Sequence, residues 1–350
     1  MERLSVLIVD DSAISRTIIR RVLEILGIRL IFSAEDGFQA ADFLRLVEAD
    51  PLKAGASQID LVITDLIMPR CDGPSLIRWI RRSPASPDRY TPIIAISGAP
   101  ARERVQLARD LGANEVLGKP FTAEALGSKI VNIVNHPRPF VLAPDYFGPD
   151  RRGSQQVVSK ETREAERKIP TIWAEDRKAM PQSSGVLFIR QRNRLQDKLG
   201  GGAAVPPFDP LQVMQAEQSI RGLASSYGDW IEDAISKLRT FVSDLNFTSE
   251  AAAEQLARIR SLALELGSQG GMFDYPLVTT FGYSLYATTN DPNFEAIDDN
   301  YMALLEAHVD GLETVVRYQI TGDGGAIGRE ILEALEKARM KYRRMEAVAS

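Results

Sequence analysis

Four short apolar runs within the first 120 residues each lead into a polar residue. Val6-Leu7-Ile8-Val9 leads into Asp10-Asp11, Leu61-Val62-Ile63-Thr64 into Asp65, Ile93-Ile94-Ala95-Ile96 into Ser97, and Val116-Leu117-Gly118 into Lys119-Pro120. Continuous apolar runs of this length are the pattern of strands buried on both faces of a parallel sheet. An open sheet of that kind binds ligands outside the carboxyl ends of its strands. The runs therefore predict one crevice shared by three carboxylates, a hydroxyl and an ammonium.

Helical spacing fills the gaps between the runs. Ile14, Ile18, Val22 and Ile25 recur every three or four residues, and Gly27 stops that helix. A second strand, Leu30-Ile31-Phe32, precedes a helix carrying Ala40, Phe43, Leu44 and Val47. Further helices are expected over 74–82, over 101–111 with Val105, Ala108 and Leu111 inward, and over 122–134. This is (βα)₅, the pattern of a doubly wound α/β fold with five parallel strands and helices on both faces.

Asp10, Asp11 and Asp65 would repel one another if all were ionised in one crevice. A hard divalent cation with oxygen ligands relieves that, and Mg²⁺ suits a site that keeps waters and receives a phosphoryl group. One carboxylate can then act as nucleophile and form an acyl phosphate. The Lys119 ammonium would neutralise phosphoryl oxygens as a point charge, and the Ser97 hydroxyl would donate a hydrogen bond.

Val9-Asp10-Asp11-Ser12, Thr64-Asp65-Leu66-Ile67-Met68-Pro69, Cys71-Asp72-Gly73, Ile96-Ser97-Gly98-Ala99 and Lys119-Pro120-Phe121 occur in that order. Together they resemble the response-regulator receiver domain of two-component signalling, over about residues 3–136. The resemblance implies that Asp65 is the phosphoacceptor. It implies that Asp10 and Asp11 hold Mg²⁺ with Asp65, that the backbone carbonyl of Ile67 is a further metal ligand, and that Ser97 and Lys119 are the family's switch hydroxyl and lysine. Two positions depart from the family. Val116 stands where an aromatic residue is common, which loosens the usual coupling of hydroxyl and ring. Ile67 stands where a polar side chain is common, which changes how water reaches an acyl phosphate. Cys71, near the site, reads as an ordinary loop residue.

The chain of 350 residues is long enough for two domains. No apolar stretch approaches the roughly 20 residues of a membrane helix. The N-terminus leads straight into a strand and leaves no room for a signal peptide. A single cysteine fits a reducing compartment, so a cytoplasmic protein is expected. Two histidines far apart in sequence, without cysteine companions, do not read as a zinc site.

Residues 137–208 carry eight prolines and dense mixed charge, with no apolar period lasting more than a few residues. They read as a flexible linker. Two apolar patches, 140–152 and 186–190, either dock on a domain or partner or stick only transiently.

Helical spacing returns from Pro210. Ile220, Leu223, Tyr227, Trp230, Ala234, Leu238, Phe241 and Leu245 form one stripe, and Leu256, Ile259, Ala263 and Leu266 another. A helix start is expected at Thr248-Ser249-Glu250 and a break at 267–271. Helices follow over 276–287, then from Ile297 to Val315, then from Ile327 to Tyr342 after a break at 322–325. The expectation for 209–350 is an all-α bundle. Residues 262–273 are similar to the active helix of histidine phosphotransfer (HPt) domains. The positions of that family's His, Lys and Gly are here Leu264, Gly267 and Ser268, so the resemblance implies the scaffold without its chemistry. An unrelated bundle is the competing reading. His308 lies on an apolar stripe between Leu304 and Leu312 and reads as a core histidine. His136 reads as solvated.

Charge is unevenly spread. Residues 1–139 carry 18 Lys and Arg against 17 Asp and Glu, and residues 207–350 carry 12 against 22. An acidic C-terminal half repels nucleic acid and shows no basic recognition helix, which weighs against a DNA-binding regulator. No cyclase, phosphodiesterase or protease constellation stands out there. The resulting expectation is a signalling protein rather than an enzyme. A histidine kinase or HPt protein phosphorylates Asp65, and the acyl phosphate controls contact with a downstream protein target. A phosphate sink or phosphorelay intermediate is the alternative, with the helical half serving as a homodimer or partner interface. No contact with nucleic acid or membrane is expected.

Overall fold

The computed structural model describes residues 1–98, 102–151, 171–173, 186–201, 203–222, 224–245, 251–290 and 299–349. Its contacts divide the chain into two compact units, Met1–Ser219 and Ile220–Ser350.

The first unit opens with the alternation read from sequence. In chain order it runs β1 (Ser5–Val9), α1 (Ala13–Ile25), β2 (Leu30–Ala34), α2 (Gly37–Ala49), the short α3 (Pro51–Ala54), β3 (Leu61–Asp65), α4 (Gly73–Arg82), β4 (Ile93–Ser97), α5 (Arg102–Leu111), β5 (Glu115–Gly118) and α6 (Ala123–Asn135). All strand pairs are parallel and the order is β2-β1-β3-β4-β5. Every residue of β1, β3 and β4 is buried, as the continuous apolar runs require. Val9 pairs with Thr64, Asp65 with Ile96, and Ser97 with Gly118. These registers set the polar run-ends level with one another at one edge of the sheet. The strand order reverses between β1 and β3, so the crevice opens where ligands bind in such folds.

α1 differs from expectation by a rotation. Its buried residues are Ser15, Ile18, Ile19, Val22 and Leu23, not a stripe starting at Ile14. The helix starts at Ser12, whose side chain accepts from the Ser15 amide. The buried arc is centred one residue further on and takes in a serine.

Residues 137–208 are not a tether throughout. β6 (Phe140–Ala143), β7 (Tyr146–Pro149), β8 (Thr171–Trp173) and β9 (Leu187–Arg190) form a second sheet in the order β7-β6-β9-β8. The two apolar patches pair with each other, Phe140 opposite Ile189 and Leu142 opposite Leu187. One face buries Phe140, Phe147, Leu187 and Ile189 against Tyr90 of the first sheet's domain, whose ring lies 5.1 Å from Phe140 and 5.4 Å from Phe147. Each strand is too short to show a period alone, and the β6–β9 pairing joins residues as far apart as Phe140 and Ile189, so local reading misses the sheet. Two further helices, α7 (Arg194–Lys198) and α8 (Pro210–Gly222), follow. Asn135 and Val205 exchange two hydrogen bonds of 2.8 Å, and Glu217 accepts from the Ala123 amide at the start of α6.

The second unit is helical: α9 (Ala224–Ser243), α10 (Ala252–Gln269), a 3₁₀ turn (Gly270–Phe273), α11 (Pro276–Thr289), α12 (Asp299–Arg317) and α13 (Gly325–Ala349). The start expected at Thr248-Ser249-Glu250 and the position of Ile297 lie outside the described residues. Gly267 does not break α10, which runs on to Gln269. It faces Gly282 of α11 instead. A Cβ on Gly282 would fall 2.4 Å from the Gly267 nitrogen, so the two helices meet backbone to backbone. Ile327, placed inward by its spacing, is exposed at the start of α13.

Candidate functional site

The run-ends of β1, β3, β4 and β5 deliver their side chains to one place. Asp10, Asp65, Ser97 and Lys119 are all buried, and Asp11 and Ile67 are half-buried beside them. The Lys119 ammonium bridges two of the carboxylates, 2.9 Å from Asp10 Oδ2 and 2.5 Å from Asp65 Oδ2. Its third oxygen neighbour is Ser15 Oγ at 3.2 Å.

The other carboxylate oxygens are oriented by backbone. The Ser12 amide donates to Asp10 Oδ1 and the Ile67 amide to Asp65 Oδ1, both at 2.9 Å. Thr64 Oγ1 donates to the Asp65 carbonyl at 2.9 Å. Arg16 holds the acid turn from behind, one guanidinium nitrogen donating to the carbonyls of Asp10 at 2.6 Å and Asp11 at 3.0 Å. The Lys119 amide donates to the Ser97 carbonyl at 2.7 Å, tying β5 to β4 where their side chains meet the crevice. The Lys119–Pro120 peptide is cis.

The loop after Asp65 is held close. A Cβ on Gly73 would fall 2.1 Å from the Asp65 carbonyl oxygen, so only glycine allows α4 to begin there. On the other side Asp36, buried at the start of α2, pairs with Arg70 and accepts from the Gln39 amide. Cys71 packs its sulfur against Gly37. Burial and the nearby Asp72 and Asp36 carboxylates raise its pKa, which fits an inert loop thiol.

The electrostatics match a site built for a cation. Burial raises the Asp11 pKa to about 7, and the Asp10 and Asp65 carboxylates add to the effect. Burial also raises Asp10, against the pull of Lys119. Asp11 Oδ1 is buried and has no hydrogen-bond partner. Such an oxygen costs stability unless something positive meets it. Among the described residues no three His, Cys, Asp or Glu side chains stand ready as a closed metal cage. The donors present are the carboxylate oxygens of Asp10, Asp11 and Asp65, gathered at one edge of the sheet. That suits Mg²⁺, a hard cation that takes oxygen ligands and keeps several waters.

Sequence reasoning missed two residues here. Ser15 breaks an otherwise apolar buried arc, a signal visible only once the arc is phased from Ser12. Arg16 looks like an ordinary helix-surface charge, yet it organises the turn that presents both acids.

In the helical unit the positions resembling the HPt active helix are closed. Leu264, Gly267 and Ser268 are buried in the α10–α11 seam. His308 is wholly buried as well. Its Nδ1 lies 2.7 Å from the Leu304 carbonyl and its Nε2 2.9 Å from Ser284 Oγ. A carbonyl can only accept, so Nδ1 carries the proton and Ser284 donates to Nε2. Burial lowers the His308 pKa to about 4. This is a satisfied core histidine. No helix among the described residues is long and apolar enough to cross a membrane.

Comparison with known proteins finds likenesses that cover the N-terminal part of the chain. A family model for the response regulator receiver domain matches residues 6–131. A probable chemotaxis protein CheY of Rhizobium etli is 36% identical over 129 residues, 37% of this chain and 91% of that protein. Chemotaxis protein CheY-3 of Vibrio cholerae is 30% identical over 132 residues, 38% of this chain and 92% of that protein. A solved CheX–CheY–BeF₃–Mg²⁺ complex from Borrelia burgdorferi matches at 25% identity and a TM-score of 0.32, over 37% of this chain and 88% of that one.

Proposed function

We propose, for a chain that belongs to the response regulator receiver family and is a two-component response regulator, that Asp65 is the phosphoacceptor and that Asp10, Asp11, Ser97, Lys119 and the Ile67 carbonyl complete its site. The observation that carries this reading is Lys119. Its ammonium lies between the Asp10 and Asp65 carboxylates at the sheet's carboxyl edge, with an unpartnered Asp11 oxygen alongside.

Asp65 attacks the phosphorus of a phosphodonor, its carboxylate oxygen forming the new O–P bond as the donor's P–O or P–N bond breaks. Lys119 then trades its bond to Asp65 for one to a phosphoryl oxygen, and Ser97 donates to another. Mg²⁺, held by Asp10, Asp11, Asp65 and the Ile67 carbonyl, would supply charge neutralisation for the transferred group. The phosphodonor is a histidine kinase or phosphotransfer protein. The output is contact with a protein, because residues 207–350 are strongly acidic and carry no catalytic constellation. The chemistry, and a lone cysteine, favour the cytoplasm.

Incubation with acetyl phosphate and Mg²⁺ followed by intact-mass measurement tests the reading. The wild type should gain one phosphoryl group and Asp65→Ala none. A wild type that stays unlabelled, or an Asp65→Ala variant labelled equally, overturns it.

A further inference from the structure

We infer that Ser15 is a positioning residue for phosphoryl transfer, acting through Lys119; the inference rests on the role proposed above for that lysine. Ser15 sits in the first turn of α1, three residues after Ser12, whose side chain accepts from its amide. Side chains on a helix lean toward its N-terminus, so this position aims into the crevice rather than along the sheet. The remainder of the buried face of α1 is Ile18, Ile19, Val22 and Leu23. A hydroxyl buried in such a row carries a desolvation cost unless it meets a polar group. Here it meets the Lys119 ammonium, with Oγ accepting at 3.2 Å.

The value of that contact lies in its neutrality and in its helix. Lys119's other two oxygens, on Asp10 and Asp65, belong to groups whose charge is redistributed when phosphate or metal arrives. Ser15 Oγ stays the same throughout and is fixed to a capped helix. It therefore keeps the ammonium in place within the crevice while its carboxylate partner changes. As the Asp65 oxygen bonds to phosphorus, the P–O bond to acetate breaks and acetate leaves with the electron pair. The lysine must already be within reach of the phosphoryl oxygens at that moment. A neutral acceptor also holds the ammonium without competing with the dianionic phosphoryl group for it.

The test is a double-mutant cycle on the full chain, with acetyl phosphate as donor and Mg²⁺ present. Initial labelling rates are read by mass over a range of donor concentrations. Ser15→Ala should lower the maximal rate by about tenfold, the scale of one hydrogen bond to a charged group, and leave the half-saturating donor concentration nearly unchanged. In a Lys119→Met background the same substitution should change nothing, because its effect passes through the lysine. Circular dichroism checks that each variant is folded. Should Ser15→Ala fail to fold, Ser15→Cys, close in volume but a weak acceptor, takes its place in the cycle. An unchanged rate in the wild-type background overturns the inference, as does an equal loss in both backgrounds, which marks a purely structural serine. A wild type that takes no phosphoryl group overturns the reading of the site and this inference with it.

Discussion

Each end of the five-stranded sheet holds a buried cation, and the two are partnered differently. At the carboxyl edge Lys119 bonds two carboxylates. At the opposite edge Arg81, wholly buried, bonds almost only neutral carbonyls: those of Gly112 at 2.9 Å, Arg89 at 2.9 Å and Thr91 at 2.7 Å, with Asn114 Oδ1 at 2.9 Å. It also lies over the Phe140 ring at 5.2 Å. Burial lowers its pKa to about 9. Carbonyl partners have no second charge state, so Arg81 has one arrangement and serves as a rivet between α4, the turns before β4 and β5, and the second sheet. In the role proposed for them, Lys119's partners take up a phosphoryl group or a metal ion, so its arrangement would change. Burial of a charge does not by itself separate function from structure; whether its partners can change charge does.

The largest expected contrast comes from Lys119→Met. It should lower Asp65 phosphorylation by about a hundredfold, the scale of losing one donor to a developing charge. It also leaves Asp10 and Asp65 facing each other unneutralised, so the variant should melt earlier in EDTA and recover with Mg²⁺. Arg81→Met should cost about 3–4 kcal/mol in urea unfolding, because four acceptors, two of them buried, lose their donor. Mg²⁺ should not restore it, and the folded fraction should phosphorylate at the wild-type rate. Recovery of Arg81→Met by Mg²⁺ would break the comparison.

His308 sharpens it from the helical unit. Its pKa is depressed in the fold to about 4 from an ordinary value of 6.5. The neutral form is therefore favoured by folding. That stability is present above pH 6.5 and is lost as pH falls through about 4, by up to about 3 kcal/mol. Thermal melts followed between pH 7 and 4 should show the helical unit losing this increment, and His308→Gln should flatten the slope. The smallest effect belongs to Glu217→Ala, which removes the acceptor of the Ala123 amide and should cost about 1 kcal/mol or less, measured by urea unfolding.

The crevice was legible because parallel strands bury both faces and so end abruptly in sequence where their polar residues begin. Asp10, Asp65, Ser97 and Lys119 needed only that rule to be placed together. Ser15 was not legible, because its arc had been phased from Ile14 rather than from its cap. Arg81 was hidden beside Arg82, an exposed arginine, and dense charge at a helix end reads as solvated. The second sheet was hidden because Phe140 and Ile189 meet only through non-local pairing and are seated on Tyr90, which another part of the chain supplies. In the helical half, Gly267 read as a break because a glycine that lets two helices touch looks, in one dimension, like a glycine that ends one.

Asp60 sits just before β3, buried, where it accepts from the Ser5 amide and hydroxyl at 2.9 Å. Its cation is Lys198, at 2.7 and 2.8 Å from the two carboxylate oxygens. The match to the receiver family ends at residue 131, yet the ion that settles this carboxylate arrives 67 residues later in the chain. Trimming the protein to the matched residues would strand Asp60 and uncover the aromatic seat around Tyr90. The segment that matches the family is thus shorter than the segment that packs as one, and a dissection of this regulator should be cut by the second length.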